Sequence, residues 1–114
     1  MISEDQIKAA VAILVREAQP ERVIMFGSYA RGEATPSSDL DLLVVQRELH
    51  HQQAEMARLR RALSPLRIPV DILVTDLAHL SSSWVNSPGS YLYDAVREGK
   101  VLYAVDRAGA PAAA

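Results

Sequence analysis

The spacing of apolar residues along the chain predicts helices that alternate with short strands. Ser3 and Gln6 form a capping-box pattern, and the apolar residues after them recur at helical spacing, which predicts a first helix over residues 4–17. Three short apolar runs are typical of strands, and we expect a helix with weaker periodicity to cross between the last two. The runs span residues 23–26, 40–45 and 70–74, and the crossing helix spans residues 50–63.

The last third of the chain predicts shorter elements. Residues 76–83 have the pattern of a short helix, and Ser87-Pro88-Gly89 that of a turn. A helix is predicted over residues 91–98, with Gly99 as its C-terminal cap. An edge strand over residues 101–104 completes the predicted set.

Length and composition bound the class of protein. A chain of 114 residues has the common size of one domain, so we expect one domain over residues 1–106 and a disordered tail over 107–114. The formal net charge of −2 predicts no bulk attraction for nucleic acid. The absence of cysteine excludes disulfides and thiolate metal sites. The sequence shows neither a signal peptide nor an apolar stretch of bilayer length, and we expect a cytoplasmic protein without a membrane partner.

Asp39 and Asp41 stand at the start of the second apolar run. Side chains alternate faces along a strand, so these two would point the same way, a little under about 7 Å apart, and could share one hard cation. The alternative is a helix that Ser38 caps, with both acids in its first turn, where the helix dipole favours them. The strand-like run over residues 42–45 favours the first interpretation.

A third acid, Asp71, lies inside the third apolar run. Burying an ionised carboxylate without compensation costs roughly several kcal/mol, so we expect Asp71 to be paired, protonated or next to a metal. One explanation is a salt bridge to Arg67 or Arg22. The other is a site shared with Asp39 and Asp41, because three carboxylates around Mg²⁺ suit phosphoryl chemistry.

Gly27 and Ser28 come where the first strand would end and a helix would begin. Free backbone N–H groups at such a turn can bind a phosphate, the Ser28 hydroxyl adds a donor, and Gly27 allows close approach. A Gly-Ser pair by itself is an ordinary turn. Its significance here comes from the acids that follow it.

Together these residues resemble the signature of the polymerase-beta-type nucleotidyltransferase superfamily. Gly27-Ser28 is followed by ten residues and then by Asp39-x-Asp41, and Asp71 is similar to the third carboxylate of the family. The resemblance covers roughly residues 4–104. In particular, the chain resembles minimal nucleotidyltransferase (MNT) domains, which are often antitoxins paired with an all-helical HEPN ribonuclease toxin and transfer AMP to it.

The resemblance implies an α/β (α+β) fold in which helices flank a small, twisted, mixed sheet. It implies two Mg²⁺ ions held by Asp39 and Asp41, with Asp71 as third ligand or general base. Gly27 and Ser28 would hold the triphosphate of ATP. Arg31 would either reach that triphosphate or brace the acidic loop, and the sequence leaves both roles open.

The function that we expect from this resemblance is transfer of AMP from ATP to a hydroxyl group of a partner protein such as a HEPN toxin. One alternative is a binding module that neutralises its partner by occlusion without catalysis. Another is a transferase that acts on RNA ends or on a small molecule. The sequence leaves the nucleotide preference, the acceptor and the oligomeric state open.

Overall fold

The computed structural model describes residues 1–80 and 91–105, which contain five α-helices and four strands. A turn of 3₁₀-helix over Ser64–Leu66 follows the third helix. In chain order the elements are α1 (Glu4–Ala18), β1 (Arg22–Phe26), α2 (Ser28–Arg31), β2 (Leu40–Gln46), α3 (Gln52–Leu63), β3 (Val70–Asp76), α4 (Leu77–Leu80), α5 (Tyr91–Glu98) and β4 (Lys100–Ala104).

The first helix begins at the predicted capping box. The Gln6 backbone N–H donates to Ser3 Oγ at 3.1 Å, and the Ser3 N–H donates to Gln6 Oε1 at 2.8 Å, which satisfies two free donors at the helix start. The helix ends at Gln19, whose φ of 45° is left-handed and whose N–H donates to the Val15 carbonyl oxygen. The predicted first helix is confirmed to within one residue.

Two predicted helices differ from the observed ones at their ends. The crossing helix begins at Gln52 and not at residue 50, because His51, with φ −134° and ψ 79°, still belongs to the turn that leaves β2. Asp76 is the last residue of β3, so α4 starts after it. Residues 81–83, the predicted turn at 87–89 and the predicted tail at 107–114 lie outside the described residues.

The four strands form one mixed sheet in the order β3-β2-β1-β4. β1 is antiparallel to both of its neighbours, whereas β2 and β3 are parallel and joined by α3. Parallel neighbouring strands need a crossover connection. The predicted helix between the last two strands is this connection. The fold class that the sequence predicted is confirmed, and β4 is at the edge of the sheet as predicted.

Alternate residues of the central strands pack on opposite faces of the sheet. One face packs against α1 and α3, and its central side chains are Val23, Met25, Leu42, Val44 and Ile72. The other face packs against α5, and its side chains are Ile24, Phe26, Leu43 and Val45, with Leu92 and Ala95 from the helix. Asp41 is two residues before Leu43, so its side chain projects to the same face as those of Leu43 and Val45, which is the α5 face. It lies near the beginning of β2.

No helix in the described ranges 1–80 and 91–105 is long and apolar enough to cross a membrane.

Candidate active site

The acids predicted from the sequence meet at the beginning of the two parallel strands. Asp39 directly precedes β2, Asp41 is the second residue of β2, and Asp71 is the second residue of β3. The register places Asp41 opposite Asp71, and paired positions on neighbouring strands project to the same face. Asp41 and Asp71 are therefore strand residues, and Asp39 directly precedes a strand. The alternative of a helix capped by Ser38 is wrong.

The charges of the other two acids act on Asp41. Burial raises the pKa of the half-buried Asp41 carboxyl, and the negative charges of Asp71 and then Asp39 raise it further, while Arg31 opposes them. An ionised Asp41 is thus disfavoured by its surroundings. A cation placed among the three carboxylates would relieve this repulsion.

Asp71 is not buried, contrary to the prediction from its apolar neighbours. Its side chain is 52% exposed, because β3 is an outer strand and Asp71 lies near its beginning. Its ionic partner is Arg60 of α3, with 3.4 Å between Arg60 Nη2 and Asp71 Oδ1, and neither Arg67 nor Arg22. A half-exposed pair of this kind contributes at most about 1 kcal/mol, so it can open readily.

The turn after β1 lies against Asp41. Gly27 has φ 73° and ψ −155°, and a Cβ atom built on it would overlap Asp41 Oδ2. That combination of angles is essentially confined to glycine. Ser28, half-buried, follows as the first residue of α2. The two segments that carried the sequence signature, Gly27-Ser28 and Asp39-x-Asp41, are therefore neighbours in space.

Arg31 connects the turn to the end of α5. Its Nε donates to Glu33 Oε2 at 3.2 Å, and its Nη1 donates to Glu98 Oε2 at 3.3 Å. These hydrogen bonds raise the pKa of the Arg31 guanidinium above its usual value. Of the two roles left open by the sequence, the contacts favour bracing, and the phosphate contact stays a prediction.

Magnesium is the cofactor that the resemblance implies. The carboxylates of Asp39, Asp41 and Asp71 are the hard oxygen donors that Mg²⁺ prefers, and their mutual repulsion at Asp41 fits a cation. Within residues 1–80 and 91–105, however, no three His, Cys, Asp or Glu side chains are arranged around a single metal position. The donor set fits the ion in its chemistry, and Asp71 would exchange Arg60 for it.

Sequence reasoning missed Arg60 and Glu98 as neighbours of the site. Arg60 lies four residues after Met56 and three before Leu63, both buried, so helical spacing could have placed it beside the sheet. No local signal could have found Glu98, because 67 positions separate it from Arg31.

Comparisons with known proteins show the family to which the chain belongs. A sequence profile of the nucleotidyltransferase domain matches residues 7–100. A protein of Methanocaldococcus jannaschii, provisionally named a protein adenylyltransferase, is 30% identical over 74 residues, which are 62% of this chain and 74% of that protein. The chain therefore belongs to the nucleotidyltransferase family, and the predicted enzyme class is confirmed.

Solved structures show the same fold. A structure provisionally described as a minimal nucleotidyltransferase is 32% identical, with a TM-score of 0.58, and the match covers 84% of this chain and 88% of the other. A toxin–antitoxin structure with AMP-PNP is 26% identical, with a TM-score of 0.62, over 90% and 77% of the two chains. A complex of a tri-AMPylated Shewanella oneidensis HEPN toxin with its MNT antitoxin is 25% identical, with a TM-score of 0.55, over 92% and 74%. The predicted resemblance to minimal nucleotidyltransferases is confirmed.

Proposed function

We propose that this protein transfers AMP from ATP to a hydroxyl group of a partner protein, as the antitoxin of a HEPN/MNT pair. The observation that carries the proposal is the contact between the Gly27 backbone and the Asp41 carboxylate, with Asp39 and Asp71 beside it. This arrangement sets a turn suited to phosphate against acids suited to a divalent cation. The structural relatives that contain AMP-PNP or an AMPylated toxin support ATP as substrate and a toxin as acceptor.

Each residue of the proposed site has a task that follows from its chemistry. Gly27 leaves its backbone open to a triphosphate, and the Ser28 hydroxyl donates a hydrogen bond to it. Asp39 and Asp41 would hold the magnesium ions, two in this proposal, and Asp71 would be the third ligand or the general base. Bound magnesium supplies charge neutralisation on the phosphates and orients them.

The proposed reaction is an in-line displacement at the α-phosphorus of ATP. The acceptor hydroxyl oxygen forms the new P–O bond, the bond to the β-phosphate bridging oxygen breaks, and pyrophosphate leaves with its electron pair. Asp71 accepts the proton of the hydroxyl group. Its half-exposed position at the sheet edge allows an acceptor on another protein to reach it.

A non-catalytic antitoxin is the second candidate function. It is favoured by the pairing of Asp71 with Arg60 and by the lack of a closed three-acid metal position in the described part of the chain. On this hypothesis the protein neutralises its partner by covering it. Asp39→Asn would then leave neutralisation unchanged.

The test is label transfer from ATP carrying label at the α-phosphate, with Mg²⁺ and the protein encoded by the neighbouring gene. We expect label on that protein with the wild type and none with Asp39→Asn/Asp41→Asn. Asp5→Asn/Asp94→Asn is the matched control, because it removes two exposed carboxylates elsewhere and should transfer normally. Equal labelling by the double site variant would refute the acid assignment. If the wild type and the Asp39→Asn/Asp41→Asn variant both neutralise the partner and neither labels it, the occlusion function is established. Label on RNA or on a small molecule would identify that molecule as the acceptor in place of a protein.

A further inference from the structure

The helices that cover one face of the sheet leave an open groove beside α1. This face packs against α1 and α3 across β1, β2 and β3. Next to α1, over β4, a groove of about 510 Å³ opens in the described part of the chain. Its apolar surface consists of one side of α1 and of β4, chiefly Val11, Val15, Leu102 and Tyr103. A second cavity of about 540 Å³ continues from it past Val15 towards Val105.

A β-bulge in β4 shapes the floor of this groove. Val23 pairs with Tyr103 and Ile24 pairs with Val101, so Leu102 is one residue more than the partner strand has. Leu102 and Tyr103, although consecutive, consequently both pack on the α1 side of the sheet. A bulge also disturbs the regular hydrogen-bonding edge that an added strand would need. The groove therefore suits a helix better than a strand, and a helix there would extend the layer formed by α3 and α1.

The charged residues of the main groove have one sign. Lys8 and Arg16 lie along its rim on α1, about 12 Å apart by the helical rise, and both are exposed. Arg16 also approaches Glu17, with 3.4 Å between Arg16 Nε and Glu17 Oε2, but that pair is solvent-exposed and weak. In the second cavity the acid Glu21 is paired with Arg47 at 3.1 Å. An occupant of the main groove should therefore carry acidic side chains along its edge.

We propose that this groove binds an amphipathic helix of a partner protein, with its apolar face on Leu102 and Tyr103 and its acidic flank against Lys8 and Arg16. A second copy of this chain fits less well. A two-fold axis at Ala12, midway between the two cations, would set Lys8 of one copy against Arg16 of the other. This docking surface is distinct from the acids of the active site and does not depend on the transfer reaction.

The charge requirement is tested with two stapled helical peptides of about fourteen residues. Both carry leucines at positions i, i+3, i+4 and i+7, and they differ only in having Glu or Lys along the flank. We expect the Glu peptide to bind about tenfold more tightly by fluorescence anisotropy, and Lys8→Glu/Arg16→Glu to reverse the preference. Arg61→Glu/Arg97→Glu, an equal charge change on α3 and α5, should leave the preference intact. No saturable binding, or equal binding of both peptides, overturns the proposal.

Photo-crosslinking tests the position. A photoreactive side chain at Ala12, which lines the groove, should crosslink the Glu peptide, whereas the same group at the exposed Ala78 of α4 should not. Equal crosslinking at both positions overturns the groove assignment. Position 12 could instead crosslink to a second copy of the chain or to residues 106–114 of the same chain. Either result would identify a different occupant of the groove and would also overturn the proposal. Because neither measurement involves ATP, these failures are distinguishable from failure of AMP transfer.

Discussion

Gly27 and Asp41 are so placed that a side chain at residue 27 would occupy the position of the Asp41 carboxylate. The backbone angles of Gly27 are essentially unavailable to other residues, and the space that a Cβ would need is occupied by the Asp41 carboxylate. Gly32 offers a comparison, because its φ is also 73° but no atom of residues 1–80 and 91–105 lies within 4 Å of an added Cβ. Substitution of Gly32 therefore tests backbone strain alone, whereas substitution of Gly27 adds a clash with Asp41.

We predict that Gly27→Ala abolishes nucleotide binding and destabilises the protein by roughly 1–3 kcal/mol, because it adds both strain and a clash with Asp41. Gly32→Ala should cost about 1–2 kcal/mol through its left-handed backbone alone and should bind nucleotide as the wild type does. Isothermal titration with ATP and Mg²⁺, together with denaturant unfolding, measures both effects. Normal nucleotide binding by Gly27→Ala would show that the turn at Gly27 takes no part in the nucleotide site.

A second residue-scale prediction concerns the pair between Arg60 and Asp71. If Asp71 exchanges Arg60 for a cation, Arg60→Gln should raise the affinity for Mg²⁺ in the presence of ATP by up to about fivefold, since an exposed pair contributes at most about 1 kcal/mol. Arg61→Gln is the matched control, because it removes the same charge from the neighbouring exposed position of α3. Titration calorimetry distinguishes the two variants. Equal affinity changes would mean that only net charge matters.

At the scale of elements, the end of β3 and the start of α4 are joined by one side chain. Asp76 Oδ1 accepts a hydrogen bond from the His79 backbone N–H at 2.9 Å and lies 2.7 Å from His79 Nδ1. The backbone hydrogen bond, followed by the ring contact, holds the pKa of Asp76 below its usual value. The ionised carboxylate is therefore favoured in the folded state, and it terminates the strand by capping the helix.

We predict that Asp76→Ala destabilises the protein by about 1 kcal/mol at neutral pH. A lowered pKa means that this stability is present above the unfolded value, near 3.8, and is lost as the pH falls through the folded value. The difference between wild type and variant in the free energy of unfolding should consequently shrink in acid. Asp76→Asn keeps a capping oxygen without a charge, so it should retain most of the stability at neutral pH. Urea unfolding over a pH series tests this, and a constant difference would contradict it.

At the scale of the whole molecule, the fold gives up stability to hold its acids together. β2 and β3 run parallel and in register, so the sheet that builds the core also sets Asp41 opposite Asp71. Burial and the neighbouring charges raise the pKa of Asp41, which means that its ionised form disfavours the folded state. A ligand that supplies positive charge at this point should stabilise the whole domain.

We predict that ATP with Mg²⁺ raises the melting temperature of the wild type, because a ligand that binds only the folded state stabilises it by mass action. EDTA should reverse the rise. Asp39→Asn/Asp41→Asn should not respond to the nucleotide, yet without ligand it should melt at a higher temperature than the wild type, because the repulsion at Asp41 is gone. Thermal unfolding with and without ligand measures both. A lower melting temperature for the unliganded variant would contradict the electrostatic account.

The sequence by itself determined the elements and the signature residues. Helical and strand periodicities are local, so they located α1, the three strands β1, β2 and β3, and the crossover α3 with errors of one or two residues at their ends. Fixed spacing likewise sufficed to connect Gly27-Ser28 with Asp39-x-Asp41. Local pattern carries this information because both segments lie where a strand begins or ends.

Only the tertiary structure decided how exposed each element is and which distant side chains meet. The apolar neighbours of Asp71 predicted burial, but its strand became an outer one, where Arg60 reaches it from α3. Strand order and helix packing, which no local pattern encodes, likewise brought Glu98 to Arg31. They also left a groove beside α1. Burial and long-range pairing depend on which strand becomes an edge, and that is settled by the packing of the whole chain.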